Sequence, residues 1–270
     1  MNMFVKILNY DMKNGVGRYW KRYLAAVIAI GVFIAYSIVS YRFFQIHMGN
    51  DVPFSFLDIF LDINKGMKKI VVSNHEKFIY PVAYLAKGIL LGVLVGEYYE
   101  HECKNVGIKI LLSAQSRTAW IAGKIVRALA IPVIYNFLLI FFCMAATGFR
   151  FSMNEVFLAF QGIDIEGIDR FSLFMLCVLP FLTDLFFCVF QNLLCLFINS
   201  HLSFIAVMAV RFTSIFAVSI FLPGNWEMLL RNEEIMVGGL SSWMVIVAAI
   251  FSVILMVIVN IRLFQKKDIL

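Results

Sequence analysis

Lys87, Asp184 and Arg211 are ionisable residues set inside apolar runs long enough to cross a bilayer. Counted from the outer ends of those runs they lie 9, 12 and 11 residues in. At 1.5 Å of rise per residue, that places all three near one depth, close to the middle. Each would cost roughly 2.5–3.5 kcal/mol if it faced hydrocarbon, so they are expected to face one another or a wet cavity. The expected pairing is Asp184 with Lys87 or Arg211, which leaves one net positive charge near any path across the membrane. A buried ion pair with no transport role fits the same residues.

No other set of residues carries chemistry. The GxxxxGK[ST] loop that cradles phosphates is missing, because Gly123-Lys124 lacks both the upstream Gly and the following Ser or Thr. His47, His75, His101 and His201 are scattered with no HExxH spacing, and there is no GxSxG elbow. Of the five cysteines, Cys143, Cys177, Cys188 and Cys195 lie in apolar runs and Cys103 in a charged segment. With no CxxC or spaced Cys/His set, neither a disulfide framework nor a metal site is expected. The chain reads as non-catalytic, with no cofactor of its own.

The elements that must position these charges follow from composition. Of 270 residues, 62% are hydrophobic and 15% charged, against about 45–50% and about 25% in soluble domains. The excess reads as an all-α, polytopic membrane protein with six spans, at 23–41, 78–97, 128–148, 172–198, 202–222 and 241–264. What remains is too little for a separate catalytic domain. The net charge of +6 is read as topology rather than as a nucleic-acid footprint. Five Lys and Arg lie in residues 1–22, five in 98–127 and three from Arg262 onward, against eight in the loops 42–77, 149–171 and 223–240. The basic side is expected to be cytoplasmic, with both termini inside.

Residues 1–22 place Phe4, Ile7, Leu8 and Met12 at helical spacing opposite Lys6, Asn9 and Lys13. They read as a retained interfacial helix rather than a signal peptide, since no small-x-small cleavage pattern follows. The six-helix domain is then 23–270. A short external helix is expected within 42–77, and 223–240 reads as either re-entrant or surface-lying. Gly88, Gly92 and Gly96 form a stripe along the second span that lets another helix approach closely, within the chain or across a dimer. Pro132 and Pro180 are positions for kinks in the third and fourth spans.

The inner segment 98–127 carries Glu100 and Glu102, then Gly107, then Lys109, Leu111, Leu112 and Ser113, then Ser116-Arg117, then Gly123-Lys124 leading into the next span. This arrangement resembles the permease subunits of ABC-2 type ABC exporters, as does the closing FQKKDIL. It departs from that pattern in having Ala114-Gln115 where a Pro often precedes the Ser-Arg pair, and in a wider gap between the acidic cluster and the Gly. The resemblance implies that Glu100, Glu102, Gly107, Lys109, Leu111, Leu112, Ser116, Arg117 and Lys124 form a coupling element docking on a separate cytoplasmic ATPase subunit. That subunit would hold the ATP and Mg. Ile108, Ile110, Leu111 and Leu112 beside charged neighbours do have the composition of an interface, apolar anchors in a polar rim.

The resemblance further implies half of a dimeric pore, completed by a second copy or a homologous permease in the plasma membrane of a bacterial cell. Its cargo would be amphipathic: an antimicrobial peptide, a lipid-like molecule or a hydrophobic drug. The competing class is an ion- or proton-coupled carrier using Lys87, Asp184 and Arg211. No inverted repeat is visible in its support.

Overall fold

Backbone groups flanked by apolar side chains must bond to one another. The chain meets that demand with helices in the computed structural model, which describes residues 3–49, 53–69, 80–104, 116–165 and 167–266. In chain order these are α1 (Met3–Arg18), α2 (Trp20–Met48), α3 (Phe56–Asn64), α4 (Val82–Lys104), α5 (Arg117–Thr147), α6 (Glu155–Phe160), α7 (Arg170–Leu194), α8 (Ser200–Phe216) and α9 (Ser242–Lys266). Two 3-10 turns, Pro223–Asn225 and Leu229–Arg231, precede α9. Polar residues open five of the helices, their side chains accepting from the otherwise orphan first-turn N–H groups: Ser55, Ser116, Asn154, Asp169 and Asn199. The sequence contains no other regular element among the described residues.

Four helices, α2, α5, α7 and α9, are long and apolar enough to cross a membrane, while the apolar part of α4 and the whole of α8 are shorter. α7 is central, touching α5, α9, α4 and α8, and α4 packs along α8. α2 and α9 stand at the edge. Leu24, Ile28, Val32, Tyr36 and Val39 on α2, and Trp243, Val247, Ile250, Phe251 and Ile254 on α9, remain exposed. A stripe of that kind on a helix fits contact with lipid tails.

Several boundaries differ from those read in the sequence. The run 202–222 is helical only to Phe216, after which the chain is irregular to the first 3-10 turn. Arg231 donates to the Ser214, Ile215 and Ala217 carbonyls and Asn225 to those of Ala217 and Ser219, so side chains rather than helical N–H groups meet this backbone. The segment 98–127 is not a loop throughout, since 98–104 completes α4 and 117–127 opens α5. Residues 105–115, with Gly107, Lys109, Leu111 and Leu112, lie outside the described residues, and so do the side chains of Glu100 and Glu102.

Two stretches of the loop 42–77 are helical among the described residues. α2 runs on to Met48, and α3 follows with every residue from Asp58 to Asn64 buried. Ser55 and Asp58 close a capping box on α3. The other Asp58 oxygen accepts from the Asn154 N–H at 3.0 Å, tying α3 to α6. Burial holds the Asp58 carboxyl above the ordinary carboxylate range, although these backbone donors pull it down. Around this tie Tyr41, Phe44 and Phe54 surround Phe157, with edge-on contacts at 5.4–5.6 Å.

Within the segment 1–22, Met3–Arg18 form the helix α1, and its Ile7 and Asp11 are buried. α1 packs on the first turns of α5. Gly123 makes room, since a Cβ there would lie 3.1 Å from both Ile7 and Asp11. Pro132 and Pro180 both lie inside continuous helices.

The glycine stripe of α4 is an internal contact. A Cβ at Gly88 would lie 2.7 Å from Arg211 Cδ, at Gly92 2.7 Å from Phe204, and at Gly96 2.6 Å from Gln191 Nε2. Gln191 also donates to the Gly92 carbonyl at 2.8 Å. Gly31 on α2 has nothing within 4 Å of where its Cβ would be. Gly92→Leu should therefore lower stability by about 1–3 kcal/mol through overpacking, and Gly31→Leu should be near neutral. Thermal unfolding of the detergent-purified variants checks this pair.

Candidate functional site

Charges buried in an apolar bundle survive only as mutually compensated groups. Lys87 on α4, Asp184 on α7 and Arg211 on α8 come together at the centre, each 2% exposed or less. Asp184 pairs with both cations: Lys87 Nζ lies 3.3 Å from Oδ2, and Arg211 Nη2 3.2 Å from Oδ1. The two cations do not compete for one partner, and the surplus positive charge expected from sequence is not left over. Glu227, in the turn between the two 3-10 segments, supplies a second carboxylate. Its Oε2 is 2.5 Å from Lys87 Nζ and its Oε1 pairs with Arg211 Nη1. Two cations and two carboxylates form a neutral quartet.

Helices on every side hold the quartet. Lys87 also donates to Asn64 Oδ1 at the end of α3, at 3.0 Å, and Asn136 of α5 donates to Asp184 Oδ2 at 3.0 Å. The Tyr84 hydroxyl donates to the Arg211 carbonyl at 3.0 Å. The Arg211 guanidinium lies 4.1 Å from the centre of the Phe187 ring and 5.4 Å from that of Tyr84. Gly88 is what lets the Arg211 stem reach this position beside α4. Tyr135 is within electrostatic reach of Asp184 and Glu227, yet its buried hydroxyl has no hydrogen-bond partner among the described residues. Asn136 Oδ1 and Arg211 Nε are in the same condition.

The segment that carries Glu227 fills a gap. At 17 residues, α8 rises about 25 Å, less than the roughly 30 Å of a bilayer core. Every residue from Pro223 to Asn232 is buried, so this irregular backbone lies within protein, where its polar groups can be met. The remainder of the segment, 233–240, is half-buried or exposed.

Arg231 meets many of those groups. It donates to the Ser214, Ile215 and Ala217 carbonyls at the end of α8, to Asn225 Oδ1, and to the Met67 carbonyl at 2.9 Å. A cation is well placed at a helix C-terminus, where the last carbonyls have no helical donor. Gly224 packs against Tyr84 and Ser214, where a Cβ would lie 2.3 Å from the tyrosine oxygen. Gly66, at φ +67, turns the chain under Met228. Trp226 sits edge-on to Phe186 at 5.3 Å and donates to the Ile220 carbonyl at 2.8 Å.

The residues read as ATPase-coupling are divided. Ser116 caps α5, and Arg117 donates to the Gln265 carbonyl at 3.2 Å, joining the start of α5 to the end of α9. Trp120 stacks on Phe264 beside that link, with ring centres 4.9 Å apart. Lys124 is buried, with Nζ 2.5 Å from Asp11 Oδ1 of α1, so its charge is met within the chain. Among the described residues no three His, Cys, Asp or Glu gather as metal ligands.

Glu227 is the member of the quartet that sequence reading missed. Its signal was an acidic residue inside the otherwise apolar FLPGNWEMLL, hidden because Pro and Gly mark that stretch as a loop.

The family described as "Protein of unknown function (DUF2705)" matches residues 23–270. Neither a curated protein nor a solved structure matches the chain.

Neutrality of the quartet has a measurable consequence. Asp184→Asn leaves two cations facing one carboxylate and should cost about 3–5 kcal/mol. Lys87→Met combined with Asp184→Asn leaves Arg211 and Glu227 paired and should cost clearly less than Asp184→Asn alone. Thermal unfolding of the three proteins in one detergent measures both.

Proposed function

The chain belongs to the DUF2705 family, and we propose that it is the membrane-spanning permease of an ATP-driven exporter of ABC-2 type. In this reading α2, α4, α5, α7, α8 and α9 are six spans, and both termini are cytoplasmic. A second copy or a homologous permease completes the pore in the plasma membrane. Hydrolysis of ATP with Mg takes place on a separate subunit, and the cargo is amphipathic: an antimicrobial peptide, a lipid-like molecule or a hydrophobic drug.

One observation carries the proposal. α4 is a continuous helix from Val82 to Lys104, with Lys87 of the quartet near one end and the segment resembling an ATPase-docking element directly beyond the other. The 17 residues between Lys87 and Lys104 span about 26 Å of helix. A push delivered by a partner at 105–115 would therefore travel along one rod to the quartet. α5 leaves the same segment at Arg117, bound to α9 there, and reaches Asn136 in the quartet. Such a linkage suits alternating access, in which interfaces shift between two discrete arrangements.

The balanced quartet also favours a second reading, an ion- or proton-coupled carrier working through Lys87, Asp184 and Arg211. The two part on energy source. Under the exporter reading, transport into inverted vesicles requires ATP and persists when the proton gradient is collapsed.

The docking assignment has its own test. Arg117→Glu, or deletion of residues 108–113, should weaken co-purification with the proposed ATPase subunit about tenfold or more. Unchanged co-purification and transport in both variants would sink the assignment.

A further inference from the structure

We propose that Lys87, Arg211 and Asp184 form a binding site for one carboxylate group, and that Glu227 is the chain's own occupant of it. The proposal deepens the exporter reading by naming the chemical class of cargo that the site would take.

The geometry sets Glu227 apart from the other three charges. Lys87, Asp184 and Arg211 sit on three separate helices that pack side by side. Glu227 alone sits on irregular backbone, in the short turn between two 3-10 segments. It can leave without any spanning helix unwinding. What it leaves behind carries a net charge of one positive unit, two cations against Asp184, in a place shielded from water. That is a site for a single anion.

The donors specify which anion. Each oxygen of the Glu227 carboxylate faces its own cation, Lys87 on one side and Arg211 on the other. Two donors set apart to take two oxygens match a planar carboxylate. Phe187 and Tyr84 flank the guanidinium, fixing the plane in which it donates. The buried Arg211 Nε, which has no hydrogen-bond partner, and the buried Tyr135 hydroxyl add donors that Glu227 does not use. An incoming carboxylate with a polar neighbour could engage them, which gives it an advantage over the resident side chain.

Occupancy by Glu227 and occupancy by cargo are then mutually exclusive. With Glu227 in place the quartet is neutral and the outer segment is drawn down onto α4 and α8. With cargo in place the cations are still satisfied, and the outer segment has lost its central anchor while Arg231 keeps it tethered to the end of α8. Exchange of one carboxylate for another avoids the cost of an unpaired buried charge at either stage.

The test uses the purified full-length chain, without the ATPase, in detergent. Glu227→Ala empties the site. Added sodium acetate should raise the unfolding midpoint of this variant saturably, by roughly 5 °C, while sodium chloride at equal ionic strength does not and wild type responds to neither. Lys87→Met with Glu227→Ala leaves Arg211 and Asp184 paired, so acetate should have no effect. Should Glu227→Ala fail to survive extraction, Glu227→Ser keeps a hydroxyl beside the cations and is read by the same criteria. Octanoate and N-acetylglycine in the same assay separate the two sources of a carboxylate, an acyl chain and a peptide C-terminus, the stronger binder naming the source. Equal responses to acetate and chloride, or an acetate response that persists in the double variant, would overturn the proposal. Because no ATPase is present, such a failure is distinct from failure of the docking assignment.

Discussion

The pairing of Glu227 with Lys87 and Arg211 is the contact on which the rest of this structure depends. Without it, α4 and α8 would each bring a cation to the centre of an apolar bundle with only Asp184 to share. Two buried cations against one carboxylate is an unfavourable state, because desolvation penalises each charge and only close opposite charge offsets it. The fourth charge closes the balance, and it arrives on a loop. The segment after α8 must therefore fold into the bundle, which accounts for its complete burial from Pro223 to Asn232.

That inward fold imposes further requirements that the sequence meets locally. A short α8 leaves carbonyls at its end that Arg231 satisfies. Close approach to α4 needs Gly224 beneath Tyr84, and the turn under Met228 needs a residue at positive φ, which Gly66 provides. On the other side, Asn64 can reach Lys87 only because α3 is buried against the bundle, held there by its own capping box and by Asn154. Charge balance, helix length and loop shape are thus one linked constraint.

The helical, apolar character of the chain was legible in the sequence because it is a property of composition and periodicity, spread over many residues. That Lys87, Asp184 and Arg211 share one level was legible too, although the counts behind it were not: α4 begins at Val82 and α8 ends at Phe216, so Lys87 and Arg211 each lie five residues from a helix end. Their common partner was not. Glu227 is brought to them by tertiary folding of a segment whose Pro and Gly advertise only irregularity, and no spacing rule connects residue 227 to residue 87. Lys124 shows the same limit from the other direction. Its place beside Arg117 in a basic inner stretch gave no hint of Asp11, more than a hundred residues away, reaching it from α1. Local patterns report which surface a residue occupies on its own helix, and pairing across the bundle depends on which helices meet.

The two buried ionic clusters share a design. In each, the cation belongs to a helix of the bundle and the added carboxylate belongs to a peripheral segment: Lys124 of α5 holds Asp11 of α1, and Lys87 and Arg211 hold Glu227 of the loop after α8. A buried ion pair is a poor source of net stability compared with apolar packing, yet it is stringent about position, since a displaced partner leaves a bare charge. Used in this way, each cluster fixes where a peripheral segment sits, one against the start of α5 and the other against α4 and α8. The difference between them lies in backbone. Asp11 is built into a 16-residue helix and cannot leave without moving the whole element, whereas Glu227 rides on a few residues of irregular chain. The first arrangement suits an anchor, and the second suits a contact made to be exchanged.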